Sequence, residues 1–314
     1  MYRCAEHRAR QSQRGVALIT VLLVFVLVTM MATHMLRTSY LAMHRTANLI
    51  NSTQARYYAL GAEELGGQML AADFAAQPKE QRFDHLGQEW ARENQSFEIE
   101  EGVLELQVID QAGLFNLNSL VDSGARSDPQ AVARFALLLA GSGLDESLAE
   151  RVADWIDADR RTSRGGVEEA AYGVESIANR PFVEPSELLG IPGFDFEAWR
   201  VLQDQVSALP ADTLLNLNTA PEPVLRAYAG VASRGDMERF LLVRLVKPMK
   251  SLQDPLLAPL FANVLDRVDV KSDFYLVRTH AQYRGRHVRL DTLVQRDAHS
   301  GKIHVIERND AARL

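Results

Sequence analysis

An uncharged apolar run close to the N-terminus constrains this chain more than any other feature. No Asp, Glu, Lys or Arg occurs between Gly15 and Leu36, and a helix needs about 20 apolar residues to cross a bilayer. Four arginines precede the run, against a single acidic residue, Glu6. Because basic flanks are retained on the cytoplasmic side, the sequence predicts a single-pass membrane protein whose C-terminal body lies on the opposite side.

Composition narrows the classes of protein that remain. The chain has 314 residues, of which 47% are hydrophobic and 24% charged, values typical of a folded protein of about two domains. Its 34 basic and 41 acidic residues give a net charge of -7, which disfavours a general nucleic-acid binder. The single cysteine, Cys4, excludes an internal disulfide and a Cys-rich zinc site.

The apolar run is consistent with three kinds of N-terminal segment. An ordinary cleaved signal peptide has a shorter apolar core followed by an Ala-x-Ala-like site, whereas here the small residue Gly15 precedes the run. An uncleaved signal anchor fits the hydropathy equally well. The third is a basic leader that ends in Gly15 directly before Val16. That arrangement resembles the class III signal of type IV pilins and type II secretion pseudopilins.

Two longer stretches carry a more specific resemblance. RGVALITVLLVFVLVTMMA at 14–32 and RTANLINSTQARYYALGAE at 45–63 are similar to the minor pseudopilin K family of the type II secretion system (general secretion pathway protein K). The resemblance implies a non-enzymatic subunit of the inner membrane with its body in the periplasm. It also implies a place at the tip of the pseudopilus, with minor pseudopilins I and J as partners, in a system that exports folded proteins across the outer membrane.

The resemblance further implies processing at the apolar run. A prepilin peptidase would cleave between Gly15 and Val16, and Val16 would become an N-methylated N-terminus. Most pseudopilins carry Glu at the fifth mature position, where it is thought to pair with the amine of a neighbouring subunit; here that position is Thr20. A neutral hydroxyl provides no such pair, which favours one end of a fibre. A membrane helix also tolerates such a residue without any role in assembly.

The helical pattern continues beyond the membrane run. Apolar residues recur at spacings of three and four from Leu36 to Ile50 and again from Ala55 to Met69. The pair Gly66-Gly67, followed by Pro78, is predicted to mark the end of this helix. Strands are predicted within 97–109, 274–295 and 302–307. The expected fold class is α+β: a long N-terminal transmembrane and amphipathic helix packed on an antiparallel sheet, as in pilins, with a large inserted helical domain that resembles SAM-like modules.

These elements divide the chain into seven predicted segments. The segments are a leader (1–15), a transmembrane helix (16–36), the periplasmic half of the long helix (37–70), the first part of the sheet domain (71–110), an inserted helical domain (111–210), a second helical module (211–268) and the C-terminal strands (269–314).

The insertion contains a repeated sequence motif. LFNLNS at 114–119 and LLNLNT at 214–219 each precede a predicted helix. Asn118 and Ser119 are predicted to cap the first of these helices, and Asn218 and Thr219 the second. A Gly-Ile-Pro-Gly hairpin, of the kind found in DNA-binding helix-hairpin-helix modules, begins at Gly190. The residues that follow it are acidic and aromatic rather than basic. The hairpin is therefore predicted to pack within the protein and not to bind nucleic acid.

One acidic cluster suits a metal ion. Asp154, Asp157 and Asp159 are followed by Glu168 and Glu169, and carboxylates gathered on one loop suit calcium, which takes six to eight oxygen ligands. The spacing does not fit an EF-hand. By spacing alone, a solvated acidic loop neutralised by neighbouring arginines is the favoured interpretation. The family resemblance reverses this preference, and it implies calcium ligands at Asp157, Asp159, Glu168, Glu169 and Asn179.

No enzymatic motif was found in the sequence. It contains no phosphate-binding Walker loop, no His-Glu-x-x-His pair, no dinucleotide fingerprint and no nucleophile elbow. Two alternatives to a pseudopilin remain open from the residues. One is an unprocessed single-span membrane protein with a periplasmic binding domain, and the other is a component of a DNA-uptake pilus.

Overall fold

The computed structural model describes residues 6–93, 95–122, 124–157, 179–230 and 233–310. Within them the fold is α+β, as predicted. The helices are α1 Glu6–Ala76, α2 Pro129–Gly141, α3 Leu148–Ile156, α4 Phe196–Leu202, α5 Glu222–Ala229, α6 Arg234–Val246 and α7 Ala258–Phe261. Short 3-10 turns lie at Lys79–Gln81, Glu89–Ala91, Leu117–Leu120, Pro185–Gly190 and Ala262–Val264. The strands are β1 Gln95–Ile99, β2 Gly102–Asp110, β3 Phe115–Asn116, β4 Val206–Ser207, β5 Leu215–Asn216, β6 Val268–Asp269, β7 Phe274–Tyr283, β8 Arg286–Arg296 and β9 Ile303–Asn309.

The N-terminal helix is longer than predicted. α1 has 71 residues, which corresponds to about 105 Å at 1.5 Å per residue. It continues through Gly66 and Gly67 and ends two residues before Pro78, so the prediction that the glycine pair ends the helix was wrong. A Cβ atom on Gly66 would lie 2.8 Å from Cγ1 of Val277. The glycine is therefore required for close packing of the helix on the sheet.

The main sheet has five antiparallel strands in the order β1-β2-β7-β8-β9. The strands predicted within 97–109, 274–295 and 302–307 are confirmed. β7 and β8 are joined by a tight hairpin at Arg284 and Gly285, whose φ angles are 44° and 73°. Positive φ at both central residues matches the right-handed twist of the flanking strands.

The second half of α1 covers one face of the sheet. Ala55, Ala59 and Ala62 are completely buried, which confirms the prediction that this part of the helical stripe covers the protein's own core. The alternating residues of β7 that face the helix, including Val277 and Ala281, are buried in the same layer.

A buried carboxylate also connects α1 to the sheet. Glu63 accepts hydrogen bonds from Oγ1 of Thr292 at 2.7 Å and from Nη2 of Arg308 at 2.8 Å. Because the charge is largely removed from water, its hydrogen bonds to β8 and β9 fix where the helix lies along the sheet.

The helical insertion leaves the sheet at the end of β2 and returns at the start of β7. Its buried apolar residues, from Phe115 to Val270, form one continuous core. Residues of both predicted helical modules, 111–210 and 211–268, contribute to that core. The exact domain boundaries stay predictions.

The Gly-Ile-Pro-Gly hairpin packs within the insertion. Ile191 is buried, and Nη1 of Arg151 donates a hydrogen bond of 2.9 Å to the carbonyl of Pro192. Gly193 has a φ of +103°, and a Cβ atom there would lie 2.5 Å from Cδ2 of Leu148. The hairpin turns its backbone toward α3, in agreement with a packing role.

Candidate functional site

The first part of α1 has no protein packed around it. An 18-residue window of this helix has a mean hydropathy of 2.7 and none of it is buried. By length and composition the helix could cross a membrane. Side chains from Val16 to Leu36 are exposed on all sides of the helix, as expected of a segment that is surrounded by lipid or by other helices.

The predicted processing residues lie at the start of this exposed segment. Gly15 lies within helical backbone, and Val16 is exposed. The Thr20 hydroxyl donates a hydrogen bond of 2.9 Å to the carbonyl of Ala17. A threonine in this arrangement is satisfied within its own helix, so Thr20 needs no polar partner from another chain.

The exposed apolar surface continues beyond the predicted span. Tyr40, Met43, Leu49 and Ile50 are exposed by 61% to 72%. These side chains lie between the membrane run and the part of α1 that contacts the sheet. We call them the free helix face. An apolar helix face of this length indicates an interaction surface.

The acidic loop is described only at its two ends. Asp157 lies directly after α3 and is buried, and the backbone amide of Asn179 donates a hydrogen bond of 3.0 Å to the carbonyl of Trp155. The two ends of the loop are therefore brought together. Asp159, Glu168 and Glu169 lie outside the described residues.

The loop ends supply oxygen donors of the type that calcium prefers. Oδ1 of Asn179 is buried and has no hydrogen-bond partner among the described residues, and Asn179 has a φ of +42°. Amide and carboxylate oxygens are both ligands of the kind that a hard cation takes. No group of three His, Cys, Asp or Glu side chains suited to a metal occurs in the described ranges. Asp154, fully buried in α3, belongs to the helix rather than to the loop.

A buried polar cluster connects the sheet to the insertion, and sequence reasoning missed it. We call it the polar joint; its side chains are Asp84, Asp110, Asn216, Thr219, Ser272 and Arg296. Its members are scattered over more than 200 residues of sequence, so no local pattern reveals them. Only Asn216 and Thr219 carried a signal, because they belong to the repeated motif.

Asp110 is the central acceptor of the polar joint. Its Oδ2 accepts hydrogen bonds from Ser272 at 2.5 Å, Thr219 at 2.6 Å and Asn216 at 3.1 Å. Burial raises the pKa of Asp110 to about 6, although these hydrogen bonds oppose the rise. Arg296 pairs with Asp84 at 2.6 Å in the same cluster. The joint fixes the insertion to the end of the sheet.

The repeated Asn-x-Asn motifs hold loops rather than cap helices. The side chain of Asn118 binds both the amide and the carbonyl of Phe182, at 2.7 and 3.0 Å. Asn218 binds the amide and the carbonyl of Met249 in the same way, at 2.8 and 2.9 Å. The prediction that these residues cap the following helices was wrong: the residue at the cap of α2 is Asp128, and at the cap of α5 it is Pro221.

Comparison with known proteins agrees with these features. A family model for protein K of the type II secretion system matches residues 113–211, which lie in the insertion. Type II secretion system protein K of Pseudomonas aeruginosa is 40% identical over 232 residues, covering 69% of this chain and 68% of that protein. The protein of the same name from Pectobacterium carotovorum is 32% identical over 292 residues, covering 86% of this chain and 88% of that protein.

A solved structure has the same fold. The chain matches the crystal structure of the GspK-GspI-GspJ complex from the Type 2 Secretion System of enterotoxigenic Escherichia coli with a TM-score of 0.71 and 24% identity. The match covers 86% of this chain and all of that one. At this identity the likeness supports the fold.

The exposed apolar helix, the antiparallel sheet packed on its second half and the helical insertion define a pilin-like assembly subunit. The relatives show to which family of pilin-like subunits the chain belongs. The chain belongs to the type II secretion system protein K family, and it is a minor pseudopilin of that system.

Proposed function

We propose that this minor pseudopilin forms the tip of the periplasmic pseudopilus and supports export of folded proteins across the outer membrane. The observation that carries the proposal is the position of the insertion. The insertion leaves the sheet after Val108 and returns before Tyr275, and both residues pack in one cluster with Leu70 near the C-terminal end of α1, about 50 Å from Leu36 along the helix. Such bulk at the distal end obstructs stacking of a further subunit above it.

The position of the protein in the fibre tests this proposal. Overproduced pseudopili are labelled with gold-conjugated antibody against residues 111–268, and antibody against the major pseudopilin of the same fibre serves as the control. We expect the first label once, at one end, and the control label along the whole length. Label for the insertion distributed along the shaft contradicts the tip assignment.

We propose minor pseudopilins I and J as the partners of the free helix face. Tyr40, Met43 and Ile50 expose apolar surface just beyond the membrane run, where the helices of neighbouring subunits would lie. The structural neighbour, a complex of GspK with GspI and GspJ, supports this choice of partners. Apolar burial between the helices would stabilise the complex.

The proposed path to the fibre begins in the inner membrane. The exposed helix inserts with the basic leader in the cytoplasm and the body in the periplasm. Prepilin peptidase removes residues 1–15 after Gly15, and Val16 is methylated on its new amine. The protein then acts as a structural subunit without catalytic activity, which agrees with the lack of enzymatic motifs in its sequence.

We also propose that the loop between Asp157 and Asn179 binds calcium. The described ends of the loop provide a buried carboxylate and a buried amide oxygen. Asp159, Glu168 and Glu169 would complete the oxygen ligands. Because the chain has only one cysteine, Cys4, a bound ion would cross-link this long loop where a disulfide cannot.

A further inference from the structure

Two histidines lie together on the face of the sheet opposite α1, near the β7–β8 hairpin. In the strand register His280 lies opposite Arg289, and Gln282 lies opposite His287. The two histidines are therefore diagonal neighbours on one face, since every second residue of a strand points the same way. Neither the membrane helix nor the polar joint uses them.

The nitrogen atoms of these histidines have the spacing of a metal-binding pair. Nε2 of His280 lies 3.3 Å from Nδ1 of His287, and the two rings are inclined by only 15°. Two nitrogens bound to one tetrahedral ion at 2.0–2.1 Å are separated by about 3.3 Å. Both side chains reach solvent, so a hydrated ion can approach the pair.

A neighbouring carboxylate orients the first of the two rings. Oε2 of Glu105, on β2, lies 3.1 Å from Nδ1 of His280. A carboxylate at that nitrogen holds the proton there and leaves Nε2 as the acceptor. Metal-binding histidines commonly have such a carboxylate behind them, which fixes the tautomer and raises the basicity of the ligand.

The two arginines that flank the histidines on this face in the strand register are paired with another acid. Arg289 and Arg278 each lie 3.2 Å from Oδ2 of Asp291. Asp291 is buried, and the two guanidinium groups hold its pKa below the usual value despite the opposing effect of burial. The pairing directs the positive charge of both arginines toward Asp291.

We propose that His280 and His287 bind one divalent transition-metal ion of the class that prefers imidazole, with zinc as the representative. Nε2 of His280 and Nδ1 of His287 are the ligands, and Glu105 is a positioning residue. The proton on Nδ1 of His287 moves to Nε2 of the same ring when the ion binds. With two protein ligands, water completes the coordination. Nitrogen ligands separate this site from the oxygen-rich calcium loop.

Zinc titration of the full chain tests the site. The protein is purified in detergent without a histidine tag and titrated with Zn²⁺ by calorimetry in the presence of excess Ca²⁺, so that any calcium site in the acidic loop is filled. We expect one zinc ion per chain to bind through the two histidines. The single variants His280→Asn and His287→Asn should each weaken that binding by at least about 10-fold, because one of two protein ligands is lost.

Two further variants sharpen the test. His304→Asn, an exposed histidine on β9 of the same sheet, is the matched control and should leave zinc affinity unchanged. Glu105→Gln should weaken zinc binding about 10-fold through loss of the orienting charge, while the melting temperature without zinc stays the same. Equal zinc affinity in the wild type and in the His280→Asn, His287→Asn double variant overturns the proposal, as does a wild type that does not bind zinc.

Discussion

At the scale of single residues, Asp110 shows how burial changes the chemistry of a common side chain. Its carboxylate accepts three side-chain hydrogen bonds and lies entirely within the polar joint. Even so, burial raises its pKa to about 6. The free-energy cost of burying the ionised carboxylate exceeds the stabilisation that the three hydrogen bonds give it.

The first prediction is a loss of stability as Asp110 ionises. Its pKa is about 6 in the folded chain and about 3.9 when unfolded, so the folded state binds the proton more tightly. The stabilisation is complete below pH 4 and disappears as pH rises through 6. This raised pKa corresponds to about 3 kcal/mol of unfolding free energy.

Chemical denaturation between pH 4 and pH 7 measures this effect. The wild type should lose stability over that range relative to Asp110→Asn, whose side chain does not titrate. Asp212→Asn, at an exposed position, is the control and should keep the wild-type pH profile. An Asp110→Asn variant with the wild-type profile would show that another group is responsible.

At the scale of elements, the two Asn-x-Asn motifs make the same pattern of hydrogen bonds. In each, the first asparagine accepts a hydrogen bond from the amide of the second, at 3.1 Å for Asn116 and 2.9 Å for Asn216. The second asparagine then reaches across to a distant loop. Each motif begins at the last residue of a short strand that has a parallel partner, β3 with β4 and β5 with β6. In each half of the insertion, a few side chains therefore connect the strand to a distant loop.

The second prediction concerns these loop contacts. Asn118→Ala and Asn218→Ala should each lower the unfolding free energy by about 2–4 kcal/mol, because buried backbone groups of Phe182 or Met249 lose their partners. Asn263→Ala, at an exposed position, should change it by less than about 0.5 kcal/mol. Denaturant titrations compare the three. A loss no larger than in the control would show that water replaces the asparagine.

The third prediction concerns the acidic loop. If it binds calcium, the ion stabilises the folded chain by about 2.7 kcal/mol at a concentration 100-fold above the dissociation constant. Chelation should then lower the melting temperature, and the double variant Asp159→Ala, Glu168→Ala should no longer respond.

A control double variant distinguishes the loss of calcium ligands from the loss of negative charge. Glu146→Ala with Asp212→Ala removes two acidic side chains from exposed positions and should keep the full response to chelator. Differential scanning calorimetry with and without chelator measures all three proteins. An identical wild-type melt in both conditions would contradict a calcium site.

At the scale of the whole molecule, one helix serves two environments. The second half of α1 packs on the sheet through small residues such as Ala59 and Gly66. The segment from Val16 to Leu36 exposes apolar side chains on every side. A single rigid rod of about 105 Å therefore connects the membrane run to the insertion at the far end of the body. This division is the architecture of a subunit that is anchored and then assembled.

The fourth prediction follows from that division. Gly15→Val places a branched side chain at the proposed cleavage site, so the leader should stay attached and assembly should stop. Gly61→Ala lies on an exposed part of the same helix, where a Cβ atom meets nothing within 4 Å, and it should be processed normally. Mass spectrometry of the protein from membranes distinguishes a start at Val16 from one at Met1. A Gly15→Val protein that starts at Val16 would contradict the class III leader.

The sequence by itself determined the local elements and the family. The membrane run, the strands on both sides of the insertion and the apolar stripe ending at Met69 all depend on patterns within a few residues, because helices and strands repeat every 3.6 and 2 positions. The family resemblance also pointed to Thr20 and to Asp157 and Asn179, whose role as calcium ligands stays a prediction.

Only the tertiary structure decided how those elements meet. Gly66 looked like a stop signal, yet it lies against Val277, 211 positions later in the sequence; Asn118 looked like a helix cap, yet it binds Phe182. The polar joint draws Asp110 together with Ser272 from distant strands. Hydrogen bonds and steric contacts act over a few ångströms in space regardless of separation in sequence, so their partners are fixed only when the chain has folded.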